Sequence, residues 1–212
     1  MNESGFLVYL IGPSGSGKDS LLSAAAKPLA TAGARIATRV ITRPSGPGEE
    51  QAISLDAEAF CARRDRGEFA LWWQANQLHY AIPCEIDDWL ATGQIVLVNG
   101  SRAYLAQARR RYPTLLPILL QVEEAVLRQR LLRRGRETPN QIEARLQRSR
   151  QMQGALSGEP DLHTLDNSGP IESSVSRLLA LIAEHRQVLQ SACHPSAFAG
   201  QAPGAHCSSA AR

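Results

Sequence analysis

A glycine-rich segment near the start of the chain, Gly12–Lys18 (GPSGSGK), limits the possible folds more than any other feature. It directly follows an apolar run, Phe6–Ile11, and precedes a helix-forming stretch, Leu21–Leu29. A strand, a glycine-rich turn, a lysine and a helix in this order are typical of a phosphate-binding P-loop. The glycines let successive backbone N–H groups turn towards a polyphosphate, and the helix adds free N–H groups. The pattern disfavours the alternative, an ordinary Gly-Ser turn.

The residue after the lysine is unusual for such a loop. Ser or Thr normally stands there and binds Mg²⁺ through its hydroxyl, whereas this chain has Asp19. A carboxylate can also ligate Mg²⁺, directly or through water, or it could repel the phosphates. We favour Asp19 as a magnesium ligand, because phosphoryl transfer depends on the metal. We expect these residues to bind ATP, with Lys18 also catalytic: Gly12, Pro13, Ser14, Gly15, Ser16, Gly17, Lys18, Asp19 and Ser20.

Composition limits the partners and the cellular compartment. The 212 residues are 43% hydrophobic, which suits one domain with a small appendage. A net charge of +3 gives no indication of nucleic-acid binding, and no run approaches the ~20 apolar residues that span a membrane. The four cysteines form no close pairs, so we expect a reducing, cytoplasmic location. Only Lys18 and Lys27 are lysines among 23 basic residues, so a lysine in the glycine-rich turn is hard to attribute to chance.

Apolar runs alternate with helical sequence along most of the chain. Such alternation predicts a parallel sheet covered by helices on both faces, which is an α/β, three-layer P-loop NTPase fold with five strands. The predicted strands are Phe6–Ile11, Ile36–Ile41, Ile95–Val98, Leu115–Val122 and His163–Leu165. The predicted helices are 17–33, 83–93, 102–112, 123–134, 140–151 and 171–190.

One segment interrupts the alternation between the second and third strands. Residues 43–82 contain a Gly/Pro loop, a helix at 56–66 and two weak strands at 68–74 and 78–82. This composition favours a small insertion that binds the acceptor substrate.

The late part of the chain adds two further segments. Residues 133–149 are rich in arginine and broken by Gly135 and Pro139, which favours a mobile lid. We predict one P-loop kinase domain over 1–190 and a disordered tail over 191–212, where Ser, Ala, Gly and Pro form no recognisable element.

Two polar clusters follow predicted strands, at the edge where open α/β sheets bind ligands. Arg39 and Arg43 flank the end of the second strand. Arg43 could bind an anionic acceptor through paired hydrogen bonds, or could be a solvated loop residue. Asn99, Ser101 and Arg102 follow the third strand and would suit a sugar hydroxyl beside a phosphate. Ser101 would equally suit a helix N-cap.

Arginines are concentrated in and before the lid. A positioned arginine can accelerate phosphoryl transfer by about 10³ or more, because negative charge spreads over the transferring group. Isolated arginines would instead form an exposed helix face. Our candidates for this catalytic role are Arg130, Arg134 and Arg145. The neighbouring leucines predicted as core are Leu127, Leu131 and Leu132.

These pieces together resemble the guanylate kinase superfamily over about residues 5–183. The shared motifs are GPSGxGK, Thr42-Arg43-Pro44, Pro47-Gly48-Glu49, Tyr80, an Arg-Gly-Arg lid and Asp166-Asn167-Ser168. The resemblance implies that Tyr80 lies in the acceptor site and that Asn167 lies near the adenine of ATP.

The departures from guanylate kinases point to a narrower family. Gly46 replaces an expected arginine, the Phe69–Leu71 stretch lacks the acidic residue that reads guanine, and Asn99 replaces an acidic residue. The motifs GKDS, ITRP, FALxW, VLVNGSR and RGRE are similar to those of the ribose 1,5-bisphosphate phosphokinases of phosphonate catabolism. This resemblance implies ATP- and Mg²⁺-dependent phosphorylation of a small sugar phosphate, ribose 1,5-bisphosphate, to 5-phospho-α-D-ribose 1-diphosphate (PRPP).

Three other functions stay open. The chain could be a guanylate or other nucleoside monophosphate kinase, or a kinase of a sugar hydroxyl that would need a general base. It could also be an inactive guanylate-kinase-like module that binds proteins, although such modules usually lose the P-loop. The oligomeric state is not predicted.

Overall fold

The computed structural model describes residues 5–43, 52–75, 77–135, 137–156 and 158–193, without the side chains of 152, 153, 155, 156 and 193. The strands in chain order are β1 (Leu7–Ile11), β2 (Ala34–Ile36), β3 (Arg39–Ile41), β4 (Ala52–Ser54), β5 (Phe69–Ala75), β6 (Leu78–Pro83), β7 (Ile95–Asn99), β8 (Leu116–Gln121) and β9 (His163–Asp166). The helices are α1 (Lys18–Thr31), α2 (Ala57–Asp65), α3 (Glu85–Ala91), α4 (Leu105–Arg111), α5 (Glu124–Arg134), α6 (Pro139–Leu156) and α7 (Ile171–Cys193).

The larger sheet is parallel and has the strand order β2-β7-β1-β8-β9. Successive residues of a strand face opposite sides of a sheet. Val8 and Leu10 of β1 therefore pack in the core under α1 and α7, while Leu7, Tyr9 and Ile11 pack in the core under α3 and α4. The predicted three-layer α/β fold with five parallel strands is confirmed.

The second predicted strand, Ile36–Ile41, is wrong as a single element. Its first residue ends β2 in the parallel sheet, and Ala37 N–H still donates to Leu97 O at 2.9 Å. The backbone then leaves this sheet, and residues 39–41 form β3 of the smaller sheet. The apolar run contains no glycine or proline, so no local signal marks the point where the chain changes its pairing partners.

The smaller sheet has the order β4-β3-β6-β5 and carries α2. Leu71, Trp73 and Ile82 pack into the core beneath the parallel sheet, which fixes the smaller sheet against the main one. The predicted helix and the two later strands are confirmed as α2, β5 and β6, whereas β4 was not predicted and β3 was predicted only as the end of the second strand. The Gly/Pro loop at 44–48 lies outside the described residues.

The region predicted as a lid is mostly helical. Gly135 ends α5 with a left-handed φ of 61°, and Pro139 begins α6. Leu127 and Leu131 are buried against α6, as expected, but Leu132 is 58% exposed, so its core assignment is wrong. Positions four apart share a helix face, and the next residue turns away from it.

The end of the described chain is helical. α7 continues to Cys193, so residues 191–193 are not part of a disordered tail, and residues 194–212 lie outside the described part. Within the described ranges, no helix combines the length and the apolar character that crossing a bilayer requires.

Candidate active site

The glycine-rich turn joins β1 to α1, and Lys18 is the first residue of that helix. Gly15 and Gly17 have φ angles of +93° and +89°, in the left-handed region that favours glycine. At Gly12 a Cβ atom would lie 2.8 Å from the carbonyl oxygen of Leu120. The turn therefore needs glycine at these positions and leaves its backbone accessible, as a P-loop requires.

The ammonium group of Lys18 folds back over the turn. Its Nζ donates to the carbonyl oxygens of Gly12 at 2.8 Å and Pro13 at 3.1 Å, which leaves one of three N–H groups for a phosphate. Burial lowers the pKa of Lys18 from 10.5 to about 8, against the opposing effect of Asp19, and the cations Arg39 and Arg134 lower it further. A bound polyphosphate would favour the charged form of Lys18.

Asn167 and Arg130 hold the opposite side of the turn. Asn167 is 1% exposed, and its Nδ2 donates to Ser16 O at 2.8 Å. Arg130 donates through Nη2 to Asn167 O at 2.7 Å and through Nη1 to Ser16 O at 3.4 Å. These bonds support the P-loop backbone from α5 and from the end of β9. The proposed roles of Asn167 near adenine and of Arg130 in catalysis stay predictions.

Arg145 connects α6 with the P-loop. Its Nη1 donates to Ser14 Oγ at 2.5 Å, and its Nη2 pairs with Glu137 Oε1 at 2.9 Å. The Glu137 side chain is only 12% exposed, and its second oxygen has no partner among the described residues. Sequence reasoning missed Glu137, although the RGRE motif contains it. Arg134 is exposed on α5, close enough to lower the pKa of Lys18.

A chain of contacts joins the P-loop helix to the smaller sheet. Asn99 Nδ2 donates to Asp19 Oδ1 at 2.7 Å, and Arg39 Nη2 lies 4.0 Å from the same oxygen. The Arg39 guanidinium lies 5.4 Å from the ring centre of Tyr80, which stacks on Trp73 at 5.7 Å. Arg39 begins β3 rather than ending the second strand of the parallel sheet, which corrects the predicted location.

The turn after β7 is fixed by Tyr9. The Tyr9 hydroxyl donates to Ser101 O at 3.0 Å and accepts from Ser101 N at 3.0 Å. A Cβ atom at Gly100 would lie 2.2 Å from the Tyr9 ring. Burial raises the pKa of Tyr9, which keeps this hydroxyl a donor. The sequence shows Tyr9 only as a strand residue, but a buried tyrosine usually has a hydrogen-bond partner.

The remaining predicted site residues are three from the acceptor set, which follow β3 and β7, and Ser20 from the ATP-binding set, which lies on α1. Ser101 occupies the N-cap position of the 3-10 turn Arg102–Tyr104, but its side chain makes no capping bond. Arg43 follows β3, and its carbonyl oxygen accepts from Ser54 Oγ at 2.5 Å. Ser20 and Arg102 are exposed, and within the described ranges neither side chain bonds to the cluster. The substrate-binding roles of Arg39, Arg43, Tyr80, Asn99, Ser101 and Arg102 stay predictions.

Comparisons with known proteins place the chain in a family. No family model matches the chain. The ribose 1,5-bisphosphate phosphokinase PhnN of Pseudomonas fluorescens (strain SBW25) is 57% identical over 181 residues, covering 84% of this chain and 95% of that protein. The protein of the same name from Pseudomonas paraeruginosa (strain DSM 24068 / PA7) is 54% identical over 183 residues, 86% of this chain and 98% of that protein.

Solved structures show the same fold at much lower identity. Guanylate kinase from Anaplasma phagocytophilum aligns with a TM-score of 0.68 and 18% identity, covering 93% of this chain and 98% of that one. A gluconokinase from Sinorhizobium meliloti 1021 aligns with a TM-score of 0.53 and 20% identity, covering 92% and 100%. By its identity to the curated relatives over nearly their whole length, the chain belongs to the ribose 1,5-bisphosphate phosphokinase family, built on the guanylate-kinase-like P-loop fold.

Proposed function

We propose that the protein transfers the γ-phosphoryl group of ATP to ribose 1,5-bisphosphate and produces PRPP, a step in phosphonate degradation. The name of the relatives, ribose 1,5-bisphosphate phosphokinase, supports the substrate. The observation that carries the chemistry is the position of Asp19. It lies on the P-loop helix and contacts both Asn99 and Arg39, so a phosphate-binding turn faces a cationic, aromatic surface.

The P-loop fits the polyphosphate of ATP. Ser16 Oγ is buried and has no partner among the described residues, and the helix start offers backbone N–H groups. Gly12 has no room for a side chain where the loop meets β8. In the reaction, the Lys18 ammonium stabilises the negative charge that develops on the β–γ bridging oxygen. Arg134 from α5 and Arg145 from α6 stabilise the charge on the transferring phosphoryl group.

A magnesium ion fits beside Asp19. Within the described ranges, no three His, Cys, Asp or Glu residues are placed to hold a metal. Mg²⁺ in kinases needs fewer, because it binds one or two carboxylates, substrate phosphates and waters. The Asp19 side chain is 79% exposed, and the buried Asn99 Oδ1 has no partner among the described residues. When bound, Mg²⁺ neutralises charge on the β- and γ-phosphates.

The reaction depends on aligning the acceptor oxygen with the γ-phosphorus of ATP and does not need a general base. The attacking atom is an oxygen of the 1-phosphate, which is already an anion. A new P–O bond forms to the γ-phosphorus, the β–γ bridging P–O bond breaks, and ADP leaves with that electron pair. Arg39 and Arg43 would hold the acceptor phosphates, and Tyr80 would border the sugar. An acceptor without a nucleobase also agrees with the buried, uncharged Phe69–Leu71 stretch, where guanylate kinases need an acidic residue to recognise guanine.

Phosphorus NMR tests this function directly. The full chain is incubated with ATP, Mg²⁺ and ribose 1,5-bisphosphate, and parallel samples contain GMP, AMP or ribose 5-phosphate as acceptor. We expect a new diphosphate signal that grows in step with ADP only in the ribose 1,5-bisphosphate sample. Strong turnover of GMP alone would identify a guanylate kinase. The absence of both turnover and ATP binding would favour an inactive binding module.

A further inference from the structure

Asn99 lies at the carboxyl end of β7, the strand next to the P-loop strand. Leu10 of β1 pairs with Asn99 in the parallel register, and the Asn99 amide reaches Asp19 in the first turn of α1. Asn99 is 6% exposed, and its Nδ2 donates to Asp19 Oδ1 at 2.7 Å. The first acidic residue of the P-loop helix is therefore bound by a buried side chain of the neighbouring strand.

The orientation of the Asn99 amide follows from its partner. An ionised carboxylate only accepts hydrogen bonds, so the NH₂ end of the amide must face Asp19. The Oδ1 end is buried and has no partner among the described residues. A buried acceptor without a donor is unfavourable. A water molecule on a bound metal ion would supply the donor that this oxygen lacks.

The two residues reverse a common arrangement. In P-loop enzymes the magnesium ion is held by a Ser or Thr hydroxyl after the lysine and by a carboxylate elsewhere in the site. Here the carboxylate follows the lysine, as Asp19, and the strand end is neutral, as Asn99. The number of carboxylates is the same, but their positions are exchanged. Two carboxylates at 2.7 Å would repel one another, so Asp19 requires a neutral partner.

We propose that Asp19 and Asn99 form one functional pair, in which the metal-binding carboxylate has moved from the strand end to the helix start. Asn99 is then a positioning residue for Asp19 and for metal-bound water, rather than a contact to the sugar. Arg39, 4.0 Å from the same carboxylate, restrains it from the acceptor side. This inference rests on the proposed kinase function only through the presence of a metal–nucleotide complex.

An exchange of the two side chains tests the pair. Asp19→Asn removes the carboxylate, Asn99→Asp creates two, and the combined variant Asp19→Asn/Asn99→Asp retains one carboxylate, one amide and the same net charge. Electron paramagnetic resonance measures the affinity of Mn²⁺ for each full-length protein saturated with ADP. This readout needs neither catalysis nor ribose 1,5-bisphosphate, so it can fail independently of the proposed function.

We expect Asp19→Asn to weaken Mn²⁺ binding by about 10- to 100-fold, the range for residues in and around metal sites. The exchanged variant should regain most of this loss. Asn99→Asp alone should lower the melting temperature of the metal-free protein, and Mn²⁺ with ADP should restore it. Asp65→Asn, which removes an exposed carboxylate on α2, is the matched charge control and should bind Mn²⁺ like the wild type.

Two results would overturn the pair. Wild-type Mn²⁺ affinity in Asp19→Asn would show that the carboxylate does not serve the metal. An exchanged variant that melts like the wild type but binds Mn²⁺ as weakly as Asp19→Asn would show that the two positions are not equivalent. If the exchanged variant does not fold, wild-type affinity in Asn99→Ala would overturn the positioning role, and a reduced affinity would support it.

Discussion

The nucleotide end of the site consists mainly of main-chain groups, whereas the proposed acceptor end consists of side chains. The P-loop is main chain, shaped by Gly15 and Gly17 in left-handed conformations and supported at Ser16 by Asn167. The proposed acceptor end consists of side chains from the smaller sheet, among them Arg39 and Tyr80, whose guanidinium and ring lie 5.4 Å apart. Backbone N–H groups recognise any polyphosphate, whereas side chains on a separate sheet can change with the acceptor. This difference would explain how a guanylate-kinase-like fold can act on a substrate that has no nucleobase.

Removing the charge at the nucleotide end should have the largest effect. Lys18→Met should lower kcat by about 10²-fold or more, because the ammonium is needed most while charge moves towards the leaving oxygen. Steady-state kinetics with saturating acceptor measures this loss. Lys27→Met, which changes the exposed lysine of the same helix, is the matched control and should leave kcat unchanged. Full activity in Lys18→Met would remove the P-loop from the mechanism.

Removing a charge at the acceptor end should affect one substrate only. Arg43→Ala should raise the KM for ribose 1,5-bisphosphate by about 10-fold or more, the value of a charge-assisted hydrogen bond, and leave the KM for ATP unchanged. Arg66→Ala, an exposed arginine of the same insertion that pairs with Glu68, should change neither constant. Equal effects of Arg43→Ala on both substrates would mean that the two ends are not separate.

The turn after β7, which carries Ser101, is a proposed part of the acceptor site, and weakening its support should have a smaller effect of the same kind. Tyr9→Phe removes the hydroxyl that holds Ser101, and we expect about a fivefold rise in the acceptor KM with kcat nearly unchanged. Tyr112→Phe is the matched control, because that hydroxyl donates to Asp87 at 2.6 Å. If both variants lose stability but neither changes the KM, Tyr9 has only a structural role.

The smallest expected effect is the uptake of a fraction of a proton by Lys18 when ADP binds. The pKa of Lys18 is about 8 in the free protein, so part of the population is neutral at that pH. ADP binding should favour the charged form and take up a fraction of a proton near pH 8, and none at pH 6.5, where Lys18 is already charged. Calorimetry in buffers with different ionisation enthalpies measures this uptake. Equal binding enthalpies across the buffers at pH 8 would contradict the low pKa.

The same comparison shows what could be predicted from the sequence. The P-loop was predictable because few residue types allow its backbone conformation, and the five-strand sheet followed from regular apolar runs. The smaller sheet was harder, because β3 continues the apolar run of β2 and changes partners without a turn signal. Tyr9 was missed because its role depends on Ser101, which follows a different strand, and Glu137 because only the folded segment before α6 places it against Arg145.

A crystal structure of the protein with ADP, Mg²⁺ and ribose 1,5-bisphosphate would test the division of the site most directly. The β-phosphate of ADP should lie against the backbone N–H groups of Gly15–Lys18 and the Lys18 ammonium, with the sugar bisphosphate across Asp19, between Arg39 and Arg43. A nucleotide bound elsewhere, with the glycine-rich turn free of phosphate, or a sugar bisphosphate remote from the smaller sheet would contradict the proposal.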